Sequence, residues 1–188
     1  GLRNVEDPQK ELREMLAYYK EQGALSMSID DAVAMMKPNY DNYCFSENKL
    51  TDCMFNSDMV LYCMKSLILH GIKPKEIVDP NIRTDFNKLA YLVRLDHGLG
   101  DNFSVIKEVA EKGEIITDIV THFSALEMTD VSNFKSLLFY FGLLSIKGVD
   151  MMGRPILHVP NLVVREQLFN FLIQGYARHD IFKLDVNR

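Results

Sequence analysis

The stretch from Ser132 to Tyr176 decides how this chain folds. It reads SNFKSLLFYFGLLSIKG (132–148), VDMMGRPILHVPN (149–161) and LVVREQLFNFLIQGY (162–176), the most hydrophobic continuous part of the sequence. Phe134, Leu137, Leu138 and Phe141 recur at i, i+3, i+4 and i+7, which puts them on one face of a helix. Leu143–Lys147 and Pro155–Val159 are short runs that pair as strands around Gly148–Gly153, a β-hairpin with Met151 and Met152 at its tip. Pro160-Asn161 then caps a last long helix, with Leu168, Phe169, Leu172 and Ile173 as its buried candidates. The expected order is helix, hairpin, helix.

Upstream, the pattern is helical. Asp7-Pro8 supplies a cap followed by proline at the first helical position, and Leu12, Met15, Leu16 and Tyr19 form one apolar face before Gly23. Ser28 and Asp31 make a capping-box-like pair for a second helix carrying Val33, Met35 and Met36, which Pro38 is expected to stop. Asn39–Phe45 (NYDNYCF) alternates aromatics with turn formers, as an extended segment or tight hairpin does, and Ser46–Asp52 reads as a loop. A third helix starts at Asn56 or Ser57 and ends at Gly71, with Met59, Val60, Cys63, Met64 and Leu67 inward. Lys73–Asp85 is a connector. Helices are expected at 85–96 and 102–112, a short strand at 114–117, and 118–127 is ambiguous between helix and loop.

Composition narrows the function classes. Hydrophobic content of 47% and a length of 188 residues fit one domain, or two small ones sharing an interface. The net charge is -5, and neither half is basic: residues 1–100 carry 12 basic and 15 acidic side chains, residues 101–188 carry 9 and 11. That balance argues against non-specific nucleic-acid binding. No apolar run approaches the roughly 18 residues that span a bilayer, so no membrane partner is expected. The charged first 18 residues do not read as a signal peptide. Three cysteines, Cys44, Cys53 and Cys63, lack CxxC spacing and suit buried thiols in a reducing, cytoplasmic setting. The chain starts at a glycine and not a methionine, and is expected to be part of a longer protein.

Residues that carry chemistry do not assemble into a motif. His70, His97, His122, His158 and His179 show no i, i+4 pairing and no HExxH. Gly98-Leu99-Gly100 lacks the GK[ST] of a phosphate loop and reads as a turn. Ser145 sits in no GxSxG, and no activating histidine adjoins a cysteine. Asp79, Asn81, Arg83 and Asp85 form a polar cluster that serves either as a helix cap or as a phosphate or partner contact. The tyrosines of NYDNYCF either pack or stack on a base.

Several stretches together resemble a known family. Tyr40-Asp41-Asn42-Tyr43-Cys44-Phe45 looks like the YDGYxF motif of bacterial AAA-ATPase-like proteins, and Phe55-Asn56-Ser57-Asp58-Met59-Val60 like the (Y/F)NPxS segment that follows it. Asp79–Asp85, Leu137–Leu144 and Val159-Pro160-Asn161 with Val164-Arg165-Glu166 continue in the family's order, so the resemblance covers about residues 37–176. Asn42 stands where the family usually has Gly, and Ser57 where it often has Pro. The resemblance is to signal-transducing ATPases, which generally carry an amino-terminal P-loop domain and a carboxy-terminal PD-(D/E)XK nuclease-like domain. It implies a mainly α fold, with a helical lid-like bundle over residues 1–100 and a winged-helix-like unit with a small β-hairpin over residues 101–188. It implies a non-catalytic regulatory or interaction fragment whose partners are its own ATPase and nuclease-like domains, or another protein. This fragment is expected to hold no cofactor of its own. ATP and Mg belong to the parent protein, with Phe55, Asn56 and Arg83 as the nucleotide-adjacent candidates. The alternative is a winged-helix DNA-binding module. Against it, the presumed recognition helix at 134–141 offers only Lys135 as a cation, and the hairpin adds Lys147 and Arg154 against Asp150.

Overall fold

A computed structural model describes residues 8–50, 53–75, 91, 101–122, 124, 127, 128 and 130–178. The Asp7 cap, most of the connector with Arg83, the helix expected at 85–96, the Gly98-Leu99-Gly100 turn, His97 and His179 lie outside the described residues. The described fold is mainly helical, with a small antiparallel sheet. Its elements are α1 (Pro8–Glu21), α2 (Ile29–Tyr40), a 3-10 turn (Glu47–Lys49), α3 (Ser57–His70), α4 (Asp101–Lys112), β1 (Glu114–Ile116), α5 (Val131–Tyr140), β2 (Ser145–Val149), β3 (Pro155–His158) and α6 (Leu162–Arg178).

The helix boundaries follow local chemistry. The Ser28 hydroxyl accepts the Asp31 amide at 3.0 Å and caps α2. Gly71 ends α3 at φ 69, donating its amide to Leu67 O. Pro38 does not stop α2, contrary to the sequence expectation; the helix continues to Tyr40. The proline sits in the last turn, where little ladder remains to lose. That turn is held by Asn39 Nδ2 donating to Met35 O at 2.9 Å and by the Asp41 amide donating to Lys37 O.

Two apolar clusters form. The first joins Leu12 and Leu16 of α1, Leu25, Val33 and Met36 of α2, and Met59, Cys63, Met64 and Leu67 of α3. The second joins Phe103, Ile106 and Val109 of α4, Ile115, Phe134, Leu137 and Leu138 of α5, Leu144, Ile146, Leu157, and Leu168 and Leu172 of α6. Each takes one residue from the other half: Val163 of α6 belongs to the first and Tyr43 to the second. Helix α6 crosses α4 closely because residue 175 is glycine; a Cβ there would meet Phe103 Cε2 at 2.4 Å. Phe169 and Ile173, expected to be buried, are exposed. The face of α6 that packs runs through Val164, Leu168 and Leu172, and those two residues lie to its side.

The sheet has the order β1-β3-β2, all antiparallel. Ile115, Leu157 and Ile146 align across it on the core side. Strand β2 starts at Ser145, two residues later than Leu143, because Gly142 at φ 71 and the buried Leu143 and Leu144 turn the chain out of α5 first. A bulge falls between Ile146 and Gly148. The β2–β3 turn is closed by Asp150, whose Oδ1 accepts the Met152 and Arg154 amides at 2.9 and 2.8 Å. Its Oδ2 accepts Arg154 Nε at 2.9 Å. Met151 and Met152 stand fully in solvent on this braced turn.

The core predicts a large response to truncation. Leu138 has no exposure, so Leu138→Ala costs about 2–5 kcal/mol of stability, measured by chemical denaturation; an unchanged midpoint would remove α5 from the core. A second outcome concerns pH. Burial, with Lys147 nearby, holds the His158 imidazole below its ordinary pKa, and Glu114 pulls only weakly the other way. The folded state therefore favours neutral His158. Its contribution is complete above about pH 6.5, the unfolded value, and is lost as pH falls through the depressed folded pKa. Melting temperature falls from pH 7 to pH 5, and His158→Gln flattens that slope; an equal slope in the variant would exclude His158 as its source.

Candidate functional site

Among the described residues, Asn42-Tyr43, Asn56, Gly142 and Pro160-Asn161, all from stretches that carry the family resemblance, meet at one place, the segment leaving α2. Asp41 ends α2 in an extended conformation and Asn42 follows at φ 73, the left-handed region. Asparagine enters that region more readily than most residues because its short side chain bonds locally. This is the position where the resembled family has glycine. Here the side chain also acts: Asn42 Nδ2 donates to Pro160 O at 3.1 Å.

From Asn42 the chain runs along the outer edge of β2. The Ser145 hydroxyl, fully buried, accepts the Cys44 amide at 2.7 Å and donates to Asn42 O at 2.8 Å. The Ile146 amide donates to Cys44 O at 3.0 Å. The free edge of the sheet is thereby covered by backbone from the other half of the protein.

Tyr43 is the centre of the arrangement. Its amide and carbonyl exchange hydrogen bonds with Met54 at 3.0 and 2.8 Å. Its ring lies over Gly142, where a Cβ would stand 3.5 Å from Tyr43 Cε1, and stacks on Phe45 at 6.3 Å. Its hydroxyl faces the side chains of Asn161 and Asn56. Burial pushes the phenol above its ordinary pKa, and the two asparagines offset part of that.

Both asparagines are helix caps. Asn56 Oδ1 accepts the Met59 amide at 3.1 Å at the start of α3. Asn161 Oδ1 accepts the Val164 amide at 3.1 Å at the start of α6, and its Nδ2 donates to Asp41 O at 3.1 Å. The caps of two helices from different clusters thus stand beside one tyrosine. Ser57 occupies the first helical position of α3, the place where proline is best tolerated, which explains how serine and proline exchange there.

Of the sequence-derived site residues, Phe55 is half-buried against the first cluster and Asn56 caps α3. The structure brings Asn56 beside Tyr43, whereas Phe55 packs with the first cluster. Arg83 lies outside the described residues. The role of Tyr43 was not legible in the sequence; the one signal was an asparagine in a glycine position next to it. Among the described residues no group of three or more His, Cys, Asp or Glu side chains is placed to hold a metal. An open surface depression of about 720 Å³ is lined by Thr121, His122, Ser124, Glu127 and Tyr140. Its Ser124 and Glu127 are engaged with each other, as a capping pair. No helix among the described residues is long and apolar enough to cross a membrane. No protein-family model, curated protein or solved structure matches the chain.

The joint predicts distinct effects at one residue. Asn161→Ala removes both the cap and the bond to Asp41 O, at a cost of about 2–4 kcal/mol for a cap plus a buried hydrogen bond. Asn161→Asp keeps the cap acceptor but sets a carboxylate oxygen against Asp41 O, so it too loses stability. Urea denaturation of the two variants checks this; an Asp variant as stable as the native chain would remove the Asp41 contact from the joint.

Proposed function

We propose that this chain is the lid-like and winged-helix-like interaction segment of an AAA-ATPase-like protein, coupling nucleotide state to a neighbouring domain. The observation that carries this reading is the convergence of the resembled stretches. Tyr40–Phe45, Asn56, Gly142 and Pro160-Asn161 are separated by up to about 120 residues and meet around Tyr43. A set of residues spent on joining two clusters suits a part that transmits displacement as one body. The order α4, β1, α5, β2, β3 with strand order β1-β3-β2 supports the winged-helix-like description of the second half. ATP and Mg would be held by the P-loop domain of the parent protein, in a cytoplasmic setting. Phe55 and Asn56 approach it only as the end of the joint. The exposed Met151 and Met152, on a turn fixed by Asp150, are the surface offered to a partner.

The DNA-binding alternative draws support from the same topology, but the helix that would enter a groove is spent on packing. Phe134, Ser136, Leu137, Leu138 and Phe139 of α5 are buried, and Lys135 is its one cation. Arg154 of the hairpin is paired with Asp150 at 2.8 Å.

The test is ATP hydrolysis with Mg²⁺ by the chain alone and by the chain joined to the segment that precedes it in the parent protein. Hydrolysis is expected only from the joined protein. Robust turnover by the chain alone would overturn the reading, and tight, salt-sensitive binding of duplex DNA by the chain alone would replace it with the alternative.

A further inference from the structure

Tyr43 and Met54 exchange both of their backbone hydrogen bonds, which defines an antiparallel, hydrogen-bonded pair. One step toward the intervening loop, that register sets Cys44 opposite Cys53. The site is of the non-hydrogen-bonded kind, where facing Cα atoms stand about 4.5 Å apart in regular geometry and the two side chains share a face. That separation lies within the range that a disulfide spans. Both thiols also turn toward the same loop. Cys44 Sγ donates to Ser46 O at 3.3 Å, and Cys53 Sγ donates to Leu50 O at 3.5 Å. The two differ in access: Cys44 is buried beneath the β2 edge contacts, and Cys53 is half-buried.

We propose that Cys44 and Cys53 form a reversible disulfide across the hairpin that Tyr43 and Met54 close, a modification site for low-molecular-weight disulfides. The thiolate of the more accessible Cys53 attacks one sulfur of the small disulfide. A mixed disulfide forms and one thiolate leaves. The Cys44 thiolate then attacks the Cys53 sulfur, the protein disulfide forms, and the second small thiolate leaves. Two cysteine thiols are oxidised, one small disulfide is reduced to two thiols, and the protons released by the cysteines end on those thiols. Cys63 takes no part. It is buried in the first cluster, where it is hydrogen-bonded with Tyr40. The bond closes the loop containing the 3-10 turn onto the segment that runs along β2, so oxidation stiffens the joint itself.

The test treats the native chain with oxidised glutathione, quenches with acid, alkylates the remaining thiols, and reads chymotryptic peptides by mass spectrometry. Chymotrypsin cuts at Phe55 and Tyr62 and so separates Cys53 from Cys63. The expected product is a Cys44–Cys53 cross-linked peptide lighter by two hydrogen atoms, with Cys63 alkylated and full reversal by dithiothreitol. Cys53→Ser abolishes the cross-link and leaves Cys44 alkylated. A persistent glutathione adduct on Cys53 without the cross-link, a bridge to Cys63, a bridge between two chains, or alkylation of all three thiols would each overturn the proposal.

Discussion

The Asn161 side chain joins the two halves of this structure. It is buried, and a buried amide without partners costs free energy. Its Oδ1 accepts the Val164 amide and caps α6, and its Nδ2 donates to Asp41 O at the end of α2. The same few atoms therefore fix where α6 begins and how the segment leaving α2 lies against it. The requirement propagates outward. Asn42 turns through positive φ ahead of Tyr43, and Gly142 turns the chain at φ 71 beside the Tyr43 ring. Ser145 must be small and hydroxylated to satisfy Cys44 and Asn42 at once.

That joint lies where the two apolar clusters exchange residues. Val163 of α6 is buried in the cluster of α1, α2 and α3, two residues from the Asn161 cap. Tyr43 is buried among α4, α5 and α6. Each cluster is completed by a residue from the other half, and polar bonds fix the crossing point. Hydrophobic burial supplies most of the stabilisation. The hydrogen bonds supply the geometry, because they are satisfied only at one relative position.

Much of the architecture was legible in the sequence, since it rests on local signals. The Ser28–Asp31 pair, Gly71, the 3.6-residue pattern of α3 and α5, and the Pro155 strand each act within a few residues and fold as they read. Pro38 misled because helix propensity was outweighed by two local hydrogen bonds near a helix end. Phe169 and Ile173 misled because a helix with apolar residues on several faces does not announce which face packs. The joint itself was hidden for a different reason. Asn42, Asn56, Ser145 and Asn161 are ordinary turn and cap residues when read singly. Their meaning comes from meeting across more than a hundred positions, which no local pattern encodes. The facing of Cys44 and Cys53 was hidden likewise, because spacing along the chain says nothing of register.

Native-state hydrogen exchange across a denaturant series measures directly whether the two clusters open as one unit. The amides of the buried residues Met64 and Leu67 in α3, and Leu138 and Phe139 in α5, report the first and second clusters separately. A rigid joint at Tyr43 predicts that both sets open with the same free energy and the same dependence on denaturant. Two sets of amides that open at different free energies, the weaker with the smaller denaturant slope, would contradict it and make the halves independent.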